Sequence, residues 1–552
     1  MTSNKDLIRI LKNTSILLEI KGENPFKCRA YANAAEIIEA ESPDLMNIVL
    51  RGENIELRGI GEAISKKISE YFTTGKLGFY SNLLEEFPES LITLTKIAGL
   101  GVKKVALLYT NLNIATHEQL EKACLDGSLG ELKGFGPKVQ ENILNSIEHL
   151  RASKGRYLQE YASAEAEEIL VTLKQINGII RADLAGDYRR FSEVIEKFVF
   201  VASTFIKNEA LQNAASAFGA VAECEKLLFA TTQSIPVEII ICNDSDYAST
   251  LHRETGSTDY HEAVIKLTSD TSATYTDENE IYSRAGLQYV EPELRESPDI
   301  LIKAKSHSIE QLIGNEELRG MLHVHSLWSD GVNTIRDMAL ESKSMGFSYI
   351  AICDHSRAAA YANGLSIDRV REQHEEIDMI NEEDLGIKIL KGIESDILPD
   401  GSLDYPDDVM ESFDIVVASV HSSFKLSRQQ QTQRIIYALM SPYTSILGHP
   451  TGRLLLTRPP YELDMDEIIQ AAADYGKIIE INANPYRLDL SWENVIKAKE
   501  KGVKIAINPD SHKTSTLSDI YMGVKVARKG GLGKQDVVNC LEYDDFQKSI
   551  CH

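Results

Sequence analysis

Residues 320–331 read Gly-Met-Leu-His-Val-His-Ser-Leu-Trp-Ser-Asp-Gly, and they carry the clearest fold signal in the chain. A short apolar run predicts a buried β-strand, and this one ends in two histidines, His323 and His325. Side chains two positions apart on extended backbone point to the same side, so the pair predicts two ligands for one metal site. Asp330 follows in the next turn and adds a carboxylate.

Six further apolar runs follow this one, and each is separated from the next by a stretch of helical character. They cover residues 349–353, 387–391, 413–420, 445–447, 478–481 and 503–507. Alternating strands and helices predict a parallel α/β arrangement, and seven such units predict a distorted (β/α)7 barrel related to the eight-stranded type. In that architecture the functional residues gather at the carboxyl ends of the strands.

Potential metal ligands recur at these strand ends. A single histidine is usually a hydrogen-bonded structural residue, but six of the 13 histidines occupy such positions together with three carboxylates. The predicted ligands are His323, His325, Asp330, His355, Glu394, His421, His449, Asp510 and His512. Nine groups exceed one tetrahedral site, and they favour two or three divalent ions, of which Mn²⁺, Zn²⁺ and Fe²⁺ suit imidazole with carboxylate.

Within this set, Glu394 and Asp510 are the predicted catalytic carboxylates, because each is able to bridge two ions. Arg453 is the third predicted catalytic residue, since a guanidinium clamps phosphate oxygens well, although an ordinary ion pair explains it equally. Tyr486, Arg487 and Lys513 are weaker candidates for substrate contacts. Trp328 is a candidate for base stacking or for packing, and Cys353 is expected in the core.

The segment from Arg319 to the end closely resembles the polymerase-and-histidinol-phosphatase (PHP) domain. The resemblance rests on the ligand set and on Ala362-Asn-Gly-Leu365, Gly448-His-Pro-Thr-Gly-Arg453 and Glu480-Ile-Asn-Ala-Asn-Pro-Tyr486. In bacterial family X DNA polymerases this domain follows the polymerase core. The resemblance therefore implies manganese-dependent 3′–5′ exonuclease activity and trimming of DNA ends.

Upstream, one pattern of an apolar residue, any residue, Gly, an apolar residue and Gly occurs three times, each time before a helical run. The copies are residues 57–61, 97–101 and 132–136. Glycines permit a tight turn, and the amides at the start of the next helix then face a phosphate without reading sequence. The pattern predicts helix-hairpin-helix contacts to the DNA backbone through Gly59, Gly61, Gly99, Gly101, Lys103, Gly134, Gly136 and Lys138.

Asn24-Pro-Phe-Lys-Cys-Arg-Ala-Tyr31, the hairpins and the stretch Ala185-Gly-Asp-Tyr-Arg-Arg-Phe-Ser together resemble family X DNA polymerases. The resemblance implies an α+β, nucleotidyltransferase-like palm and thumb. It also places Asp187 where the family carries a serine, and Lys197 and Val199 where it carries two metal-binding aspartates. The third carboxylate of the family falls near Glu238. A charged lysine or a valine is no ligand for Mg²⁺, so the polymerase centre is predicted to be inactive. A substitute cluster of Asp187, Glu193 and Glu196 is the less favoured alternative.

These signals divide the chain into four predicted regions. Residues 1–90 form a helical domain with the first hairpin, and residues 91–152 form a fingers-like hairpin region. Residues 153–315 form the degenerate palm and thumb, and residues 319–552 form the PHP phosphoesterase domain.

Composition limits the remaining possibilities. The net charge of −25 argues against coating nucleic acid through bulk electrostatics, but it allows local contacts to the backbone. No apolar run approaches the roughly 20 residues that span a bilayer, and the start MTSNKDLIRILKN has no signal core. Seven scattered cysteines without a CxxC pair fit a reducing compartment. A cytoplasmic monomer is therefore expected, with no membrane contact and no indicated protein partner.

The sequence as a whole favours a metal-dependent DNA phosphoesterase that acts at gapped DNA or at 3′ ends during repair. Three alternatives stay open. They are a gap-filling DNA polymerase with an exonuclease domain, a small-molecule phosphatase of the histidinol-phosphate type, and a non-catalytic DNA-binding scaffold stabilised by metals.

Overall fold

The computed structural model describes residues 3–41, 43–55, 57–97, 100–224, 226–268 and 274–550. The chain divides into two compact units, Met1–Lys154 and Gly155–His552. The boundary between them lies two residues from the one predicted at 152/153. The finer subdivision of each unit remains a prediction.

The described part of the first unit is helical. Its helices are α1 Asn4–Ile20, α2 Pro25–Glu41, α3 Leu45–Leu50, α4 Glu62–Thr74, α5 Gly78–Glu86, α6 Ser90–Leu94, α7 Val102–Leu112, α8 His117–Leu125 and α9 Pro137–Ala152. Apolar residues at helical spacing give each long helix one buried face, and these faces share one core that extends from Leu7 to Ile147.

The second unit begins with a mixed five-stranded sheet, a two-stranded sheet and the helices between these strands. These elements are β1 Tyr157–Leu158, α10 Gln159–Gln175, β2 Arg181–Ala185, α11 Gly186–Arg189, β3 Val194–Ile195, β4 Phe198–Thr204, α12 Lys207–Phe218, β5 Val221–Glu223, β6 Lys226–Ala230 and β7 Pro236–Asn243. The order of the five-stranded sheet is β2-β4-β7-β6-β5, and β1 and β3 form the two-stranded sheet. Every residue of β4 is buried, which places this apolar strand at the centre of the predicted palm.

A small helical bundle follows the palm sheet. It contains α13 Tyr247–Thr255, α14 Thr258–Leu267, α15 Glu278–Arg284 and α16 Ile300–Lys305. Its centre holds Arg295, which is fully buried and ion-paired with Glu278. Such a charge is tolerated in a core only when it is paired and hydrogen-bonded, and Val290 O also accepts from Arg295 Nε at 2.9 Å.

The rest of the unit alternates strands and helices, as predicted. The elements are β8 Gly320–Val324, α17 Ile335–Ser344, β9 Tyr349–Ile352, α18 Ile367–Glu382, β10 Lys388–Asp396, α19 Asp407–Met410, β11 Ile415–Ser419, α20 Arg428–Met440, β12 Ile446–Leu447, α21 Met465–Asp474, β13 Ile478–Asn482, α22 Trp492–Glu500, β14 Ile505–Asn508, α23 Ile520–Lys529 and α24 Tyr543–Ile550.

The seven strands of this region form one parallel sheet in sequence order, from β8 to β14. The sheet is nearly closed, because Val324 at the end of β8 forms a bridge with Ser511, just after β14. The predicted distorted (β/α)7 barrel is confirmed. Its parallel strands bring all their carboxyl ends to one rim, and this explains how residues from 323 to 512 reach one site.

Among the helices that the structure describes, none is long and apolar enough to cross a membrane.

Candidate metal centre

The structure brings all nine predicted ligands together at the carboxyl ends of the barrel strands. Eight of them form three overlapping clusters, and the ligand atoms of each cluster lie within 4.8 Å of one another. The ninth, His449, joins the group through Glu394, whose Oε1 lies 3.0 Å from His449 Nε2. The clusters are His325, Asp330, His355 and His512; His323, His325 and Asp510; and His355, Glu394 and His421. His325 and His355 each belong to two clusters, so the three are arranged as one continuous group that could hold divalent ions.

Glu394 lies at the centre of one half of the site and is 1% exposed. Four imidazoles surround its carboxylate. His355 Nδ1 lies 2.8 Å from Oε2, while Nε2 of His449, His421 and His323 lies 3.0, 3.2 and 3.3 Å from Oε1. One carboxylate shared by four imidazoles from different strands is the arrangement expected of a group that bridges metal ions.

Asp510 and Asp330 occupy the other half of the site. His325 Nε2 lies 3.1 Å from Asp510 Oδ1, and His512 Nε2 lies 3.2 Å from Asp330 Oδ1. His325 and His512 stack with their ring centroids 4.1 Å apart. Two imidazoles brought this close, each facing a carboxylate, again suggest ligands gathered for a cation.

The hydrogen bonding of the described residues fits a metal centre. His325 Nδ1 and His449 Nδ1 are buried and have no hydrogen-bond partner within the described residues. A buried polar atom without a partner is costly, and native structures rarely retain one without a reason. A divalent cation would satisfy nitrogen atoms of this kind, and borderline first-row ions suit imidazole.

The electrostatics of the site point in the same direction. Burial raises the pKa of Glu394, but the neighbouring His421, His355 and His323 outweigh it and hold that pKa well below its ordinary value. Burial lowers the pKa of His421, but Glu394 and Asp396 outweigh it and raise that pKa to about 10. The carboxylates therefore stay ionised and attract positive charge, which a metal ion supplies as readily as a proton.

Two carboxylates that the sequence analysis did not select orient the ligands. Glu480, fully buried in β13, lies 2.6 Å from His323 Nδ1 and accepts from the backbone N–H of His449 at 2.7 Å. Asp396, at the end of β10, lies 2.7 Å from His421 Nδ1. A carboxylate on Nδ1 fixes the ring and leaves Nε2 available as a ligand. An acidic residue inside a buried strand was the signal available for Glu480.

Three of the nine predicted ligands have left-handed backbone, with φ of 54° at His323, 51° at Asp510 and 23° at His449. Non-glycine residues adopt this region at a cost and do so mainly where the surroundings enforce it, often at functional sites. At His323 the strand pairing also shifts between Met321 and Val324. The two histidines of the first motif are therefore placed by a strand irregularity, not by the simple alternation that the prediction assumed.

Arg453 is engaged in an ion pair and in hydrogen bonds within the protein. Its Nη2 donates to Glu193 Oε1 at 2.7 Å, and its Nε donates to the Arg487 carbonyl at 2.9 Å. Nη2 also donates to the carbonyl of Leu488. A buried guanidinium must be paired, and these partners favour the ion-pair interpretation of Arg453 over the phosphate clamp. Arg487 lies nearer the ligands, with its Nε 3.7 Å from Asp510 Oδ2.

Two of the other barrel residues considered as substrate contacts or core residues are packed within the barrel domain, and one is exposed. Cys353 is fully buried, as expected for the core. Trp328 is part-buried and donates from Nε1 to Glu376 at 2.7 Å, while Arg369 lies over its ring, so packing explains it. Tyr486 is 48% exposed and remains available for a substrate contact.

In the palm, the residues at the expected metal-binding positions of a polymerase form ion pairs instead of a group of free ligands. Val199 pairs in register with Glu238 on adjacent parallel strands, so the two lie side by side as the resemblance implied. Lys197 Nζ lies 2.5 Å from Glu238 Oε2, and Lys226 is hydrogen-bonded to the other oxygen. Asp187 is ion-paired with Arg190. Two ammonium groups thus occupy the carboxylate that a metal would otherwise use.

The substitute cluster in the palm does not form in the structure. Glu193 faces Arg453 of the barrel, as described above, while Asp187 faces Arg190. Carboxylates directed at separate arginines are already paired, so they do not share a cation.

The glycine hairpins of the first unit have the predicted geometry wherever the structure describes them. Helices α4, α7 and α9 begin immediately after Gly61, Gly101 and Gly136. The apolar residue between each pair of glycines is buried, while the described glycines are exposed, as are Lys103 and Lys138; the buried residues are Ile60, Leu100 and Phe135. Gly59 and Gly134 both have φ of 95°, a conformation that favours glycine. Gly99 lies outside the described residues.

The amino ends of two of these helices are open. Within the described residues no side chain caps the N-terminus of α4 or α7, where Gly61 and Gly101 stand at the N-cap positions. The first amides of a helix have no partner inside the helix, and together with the helix dipole they favour an anion. This arrangement allows contact with a phosphate backbone.

Comparison with known proteins supports both regions. A helix-hairpin-helix domain model matches residues 2–77, and a PHP domain model matches residues 321–484. Over 229 residues the chain is 32% identical to a probable phosphatase of Thermoanaerobacter sp. (strain X514), an alignment that covers 39% of this chain and 88% of that protein.

A second relative aligns along nearly the whole chain. The DNA polymerase/3′-5′ exonuclease PolX of Bacillus subtilis (strain 168) is 36% identical over 565 residues, which cover 98% of each protein. Because this similarity extends over both the helix-hairpin-helix region and the barrel, this chain belongs to the family X DNA polymerases that carry a PHP domain.

Proposed function

We propose that the barrel is a multi-metal phosphodiesterase that removes nucleotides from the 3′ ends of DNA. The observation that carries the proposal is the group of nine ligands around Glu394 and Asp510 in a chain that also has a helix-hairpin-helix unit. The name of the Bacillus relative, which includes a 3′–5′ exonuclease, supports the same reaction.

Two or three divalent ions, Mn²⁺, Zn²⁺ or Fe²⁺, would be held by the nine ligands, with Glu394 and Asp510 as the bridging carboxylates. When bound, such ions lower the pKa of water and offset the negative charge of phosphate oxygens. The number of donors supports more than one ion, because a single tetrahedral site uses four.

Several residues of the chain prepare the reaction without being ligands themselves. Glu480 and Asp396 hold the rings of His323 and His421, so that each Nε2 faces Glu394. Arg487, 19% exposed beside Asp510, is placed to bind a non-bridging phosphate oxygen. Both arrangements favour in-line attack on a phosphodiester held between the ligands and Arg487.

The first unit would bring DNA to the barrel through backbone contacts. The open amino ends of α4 and α7 and the exposed Lys103 and Lys138 support such contacts. Gapped DNA and free 3′ ends are the proposed substrates, and repair in the cytoplasm by a monomer is the proposed setting. Exchanging Lys138 for Ala should weaken DNA binding at all sequences alike and reduce its salt dependence.

The polymerase centre is proposed to be inactive. The Glu238 carboxylate binds Lys197 and Lys226, and a charged ammonium has no lone pair for a metal ion. Two-metal phosphoryl transfer requires several oxygen ligands on each ion, and Val199 offers none.

A small-molecule phosphatase is the second candidate, because the relatives that match only the barrel are named probable phosphatases. The helix-hairpin-helix unit favours the DNA enzyme, since a metabolite phosphatase has no use for backbone contacts to DNA.

The deciding experiment combines metal analysis of the full chain with a nuclease assay on 5′-labelled single-stranded and gapped DNA in Mn²⁺. Wild type is compared with His323→Ala and with His374→Ala, a barrel histidine outside the three clusters. Stepwise shortening that only His323→Ala abolishes supports the proposal. Absence of cleavage by a chain that holds two or three ions would redirect the search to phosphorylated metabolites.

A further inference from the structure

The palm and the barrel meet beside the candidate metal centre. Glu193, immediately before β3, pairs with Arg453, which follows His449 on the loop after β12. Both side chains are 15% exposed, so the ion pair is largely shielded from water. Arg453 also donates to the carbonyls of Arg487 and Leu488, in the loop that follows β13. One palm carboxylate is therefore linked to two loops of the barrel site.

A second contact between the two regions is aromatic and open to solvent. Tyr161 of α10 and Tyr486 of the barrel lie with ring centroids 5.0 Å apart at an angle of 41°. The two residues are 40% and 48% exposed, so each leaves part of its ring uncovered. An interface formed only for packing would bury such large rings, and this pair leaves an aromatic surface in water.

Hydrogen bonds connect Tyr486 directly to the ligand group. Its backbone N–H donates to Asn484 Oδ1 at 3.0 Å, and the N–H of Asn484 donates to Asn482 Oδ1 at 3.1 Å. Asn482 Nδ2 in turn donates to Asp510 Oδ2 at 2.9 Å. The adjacent Arg487 lies near the same carboxylate. Three hydrogen bonds therefore link the loop of Tyr486 to Asp510, one of the predicted ligands.

A third exposed tyrosine lies beside two of the predicted ligands. Tyr361 is 73% exposed, and its ring centroid lies 6.2 Å from His355 and 6.5 Å from His421. Nucleobases stack on exposed aromatic side chains with little dependence on sequence. A phosphodiester bound at the ligands carries bases on both neighbouring nucleotides, and these would lie where the tyrosines are.

We infer that the palm completes the substrate-binding mouth of the barrel, with Tyr161 and Tyr486 forming a stacking platform for a nucleobase of the DNA strand. Glu193 acts as a positioning residue, because its pairing with Arg453 holds the loops of Tyr486 and His449. This inference rests on the proposed DNA phosphodiesterase function and deepens it. It also gives the palm a role in this chain that needs no metal ion in the palm.

The test compares two 3′-labelled single strands that share the same phosphates. One carries thymidine in its last three positions, and the other carries abasic residues there. Tyr161→Ala should raise KM for the thymidine strand roughly 5- to 100-fold, the range expected for the loss of one stacked base, with kcat little changed. KM for the abasic strand should change less than about twofold.

Three further variants separate stacking from mere packing. Tyr161→Phe retains the ring and should behave as wild type. Tyr475→Ala removes a tyrosine of similar exposure, 45%, at the other end of the barrel, just before β13, and should also behave as wild type. Glu193→Gln should raise KM for the thymidine strand, and adding it to Tyr161→Ala should raise KM by less than the product of the separate effects.

Two results would overturn the inference. Tyr161→Ala could leave KM for the thymidine strand unchanged, or it could raise KM for both strands equally, which would make the residue structural. If the wild type does not shorten DNA at all, the proposed function fails, and binding of the same strands is then measured by fluorescence anisotropy on the full chain. A preference for the thymidine strand that Tyr161→Ala removes would still support the platform, and no such preference would reject it.

Discussion

The palm and the barrel each contain a largely buried glutamate at a site where this family can hold metal ions, yet the two sites differ in their neighbours. Glu238 in the palm binds the ammonium groups of Lys197 and Lys226. Glu394 in the barrel faces four imidazoles. A lysine neutralises a carboxylate permanently, whereas a neutral imidazole offers a lone pair and leaves the carboxylate for a cation. The neighbours of a carboxylate therefore decide whether it is a ligand or half of an ion pair.

The largest expected effect comes from the central carboxylate of the barrel. Glu394→Gln removes the charge that four imidazoles share, so nuclease activity should fall by roughly three orders of magnitude. Metal analysis of the same sample should show fewer ions per chain. Glu375→Gln, on the surface of α18, is the matched control and should retain both properties. Full activity in Glu394→Gln would remove the basis for the comparison.

The next prediction concerns polymerase activity of the palm. The Glu394→Gln background is used because its exonuclease should not degrade extended primers. In this background, primer extension with Mn²⁺ and four nucleotides should be undetectable on a sequencing gel. Lys197→Asp with Val199→Asp, added to the same chain, should gain Mn²⁺ binding, because it restores two oxygen ligands beside Glu238. Templated extension without those two changes would show that the palm is active.

A smaller effect is expected from a carboxylate that orients a ligand. Glu480→Gln keeps the side chain's shape but weakens the acceptor for His323 Nδ1, so metal affinity should fall about 10- to 100-fold. Competition with a chelating dye measures this change directly. Gln470→Glu, on exposed α21, is a useful control for added or lost charge. An unchanged affinity would mean that His323 is held by packing alone.

The smallest effect concerns the lysine in the palm. Partial burial raises the pKa of Glu238, but Lys197 and Lys226 outweigh it and lower that pKa below its ordinary value. A carboxylate with a depressed folded pKa adds stability above its unfolded pKa, and this stability is lost as the pH falls through the folded pKa. Lys197→Met should therefore lower the free energy of unfolding at pH 7 by about 0.5 kcal/mol, because Lys197 is half-exposed.

Denaturant unfolding at pH 7 and at pH 3 tests this prediction. The difference between wild type and Lys197→Met should shrink as the pH falls through the folded pKa of Glu238 and the carboxylate becomes protonated. Lys174→Met, an exposed lysine of α10, should show no such dependence. A difference that persists at pH 3 would indicate that the Lys197 stem acts by packing.

Much of the barrel could be predicted from the sequence because its strands are short and continuous. Six of the seven predicted runs agree with the observed strands to within two residues at each end. The exception is β10, which continues past the predicted end at Lys391 to Asp396. The prediction stopped there because Gly392 and Glu394 interrupt the apolar run. Neighbouring strands nevertheless bury both faces of β10, and tertiary contacts override local pattern in such a strand.

The sequence by itself determined the order of hairpins, palm and barrel and the nine candidate ligands, because chemistry at strand ends follows from residue type and spacing. Only the tertiary structure showed that Arg453 reaches Glu193, 260 positions earlier in the chain, and that Tyr161 lies beside Tyr486. It also placed Glu480 behind His323, 157 positions away. Contacts over such separations depend on which surfaces pack together, and no local pattern in the chain encodes that choice.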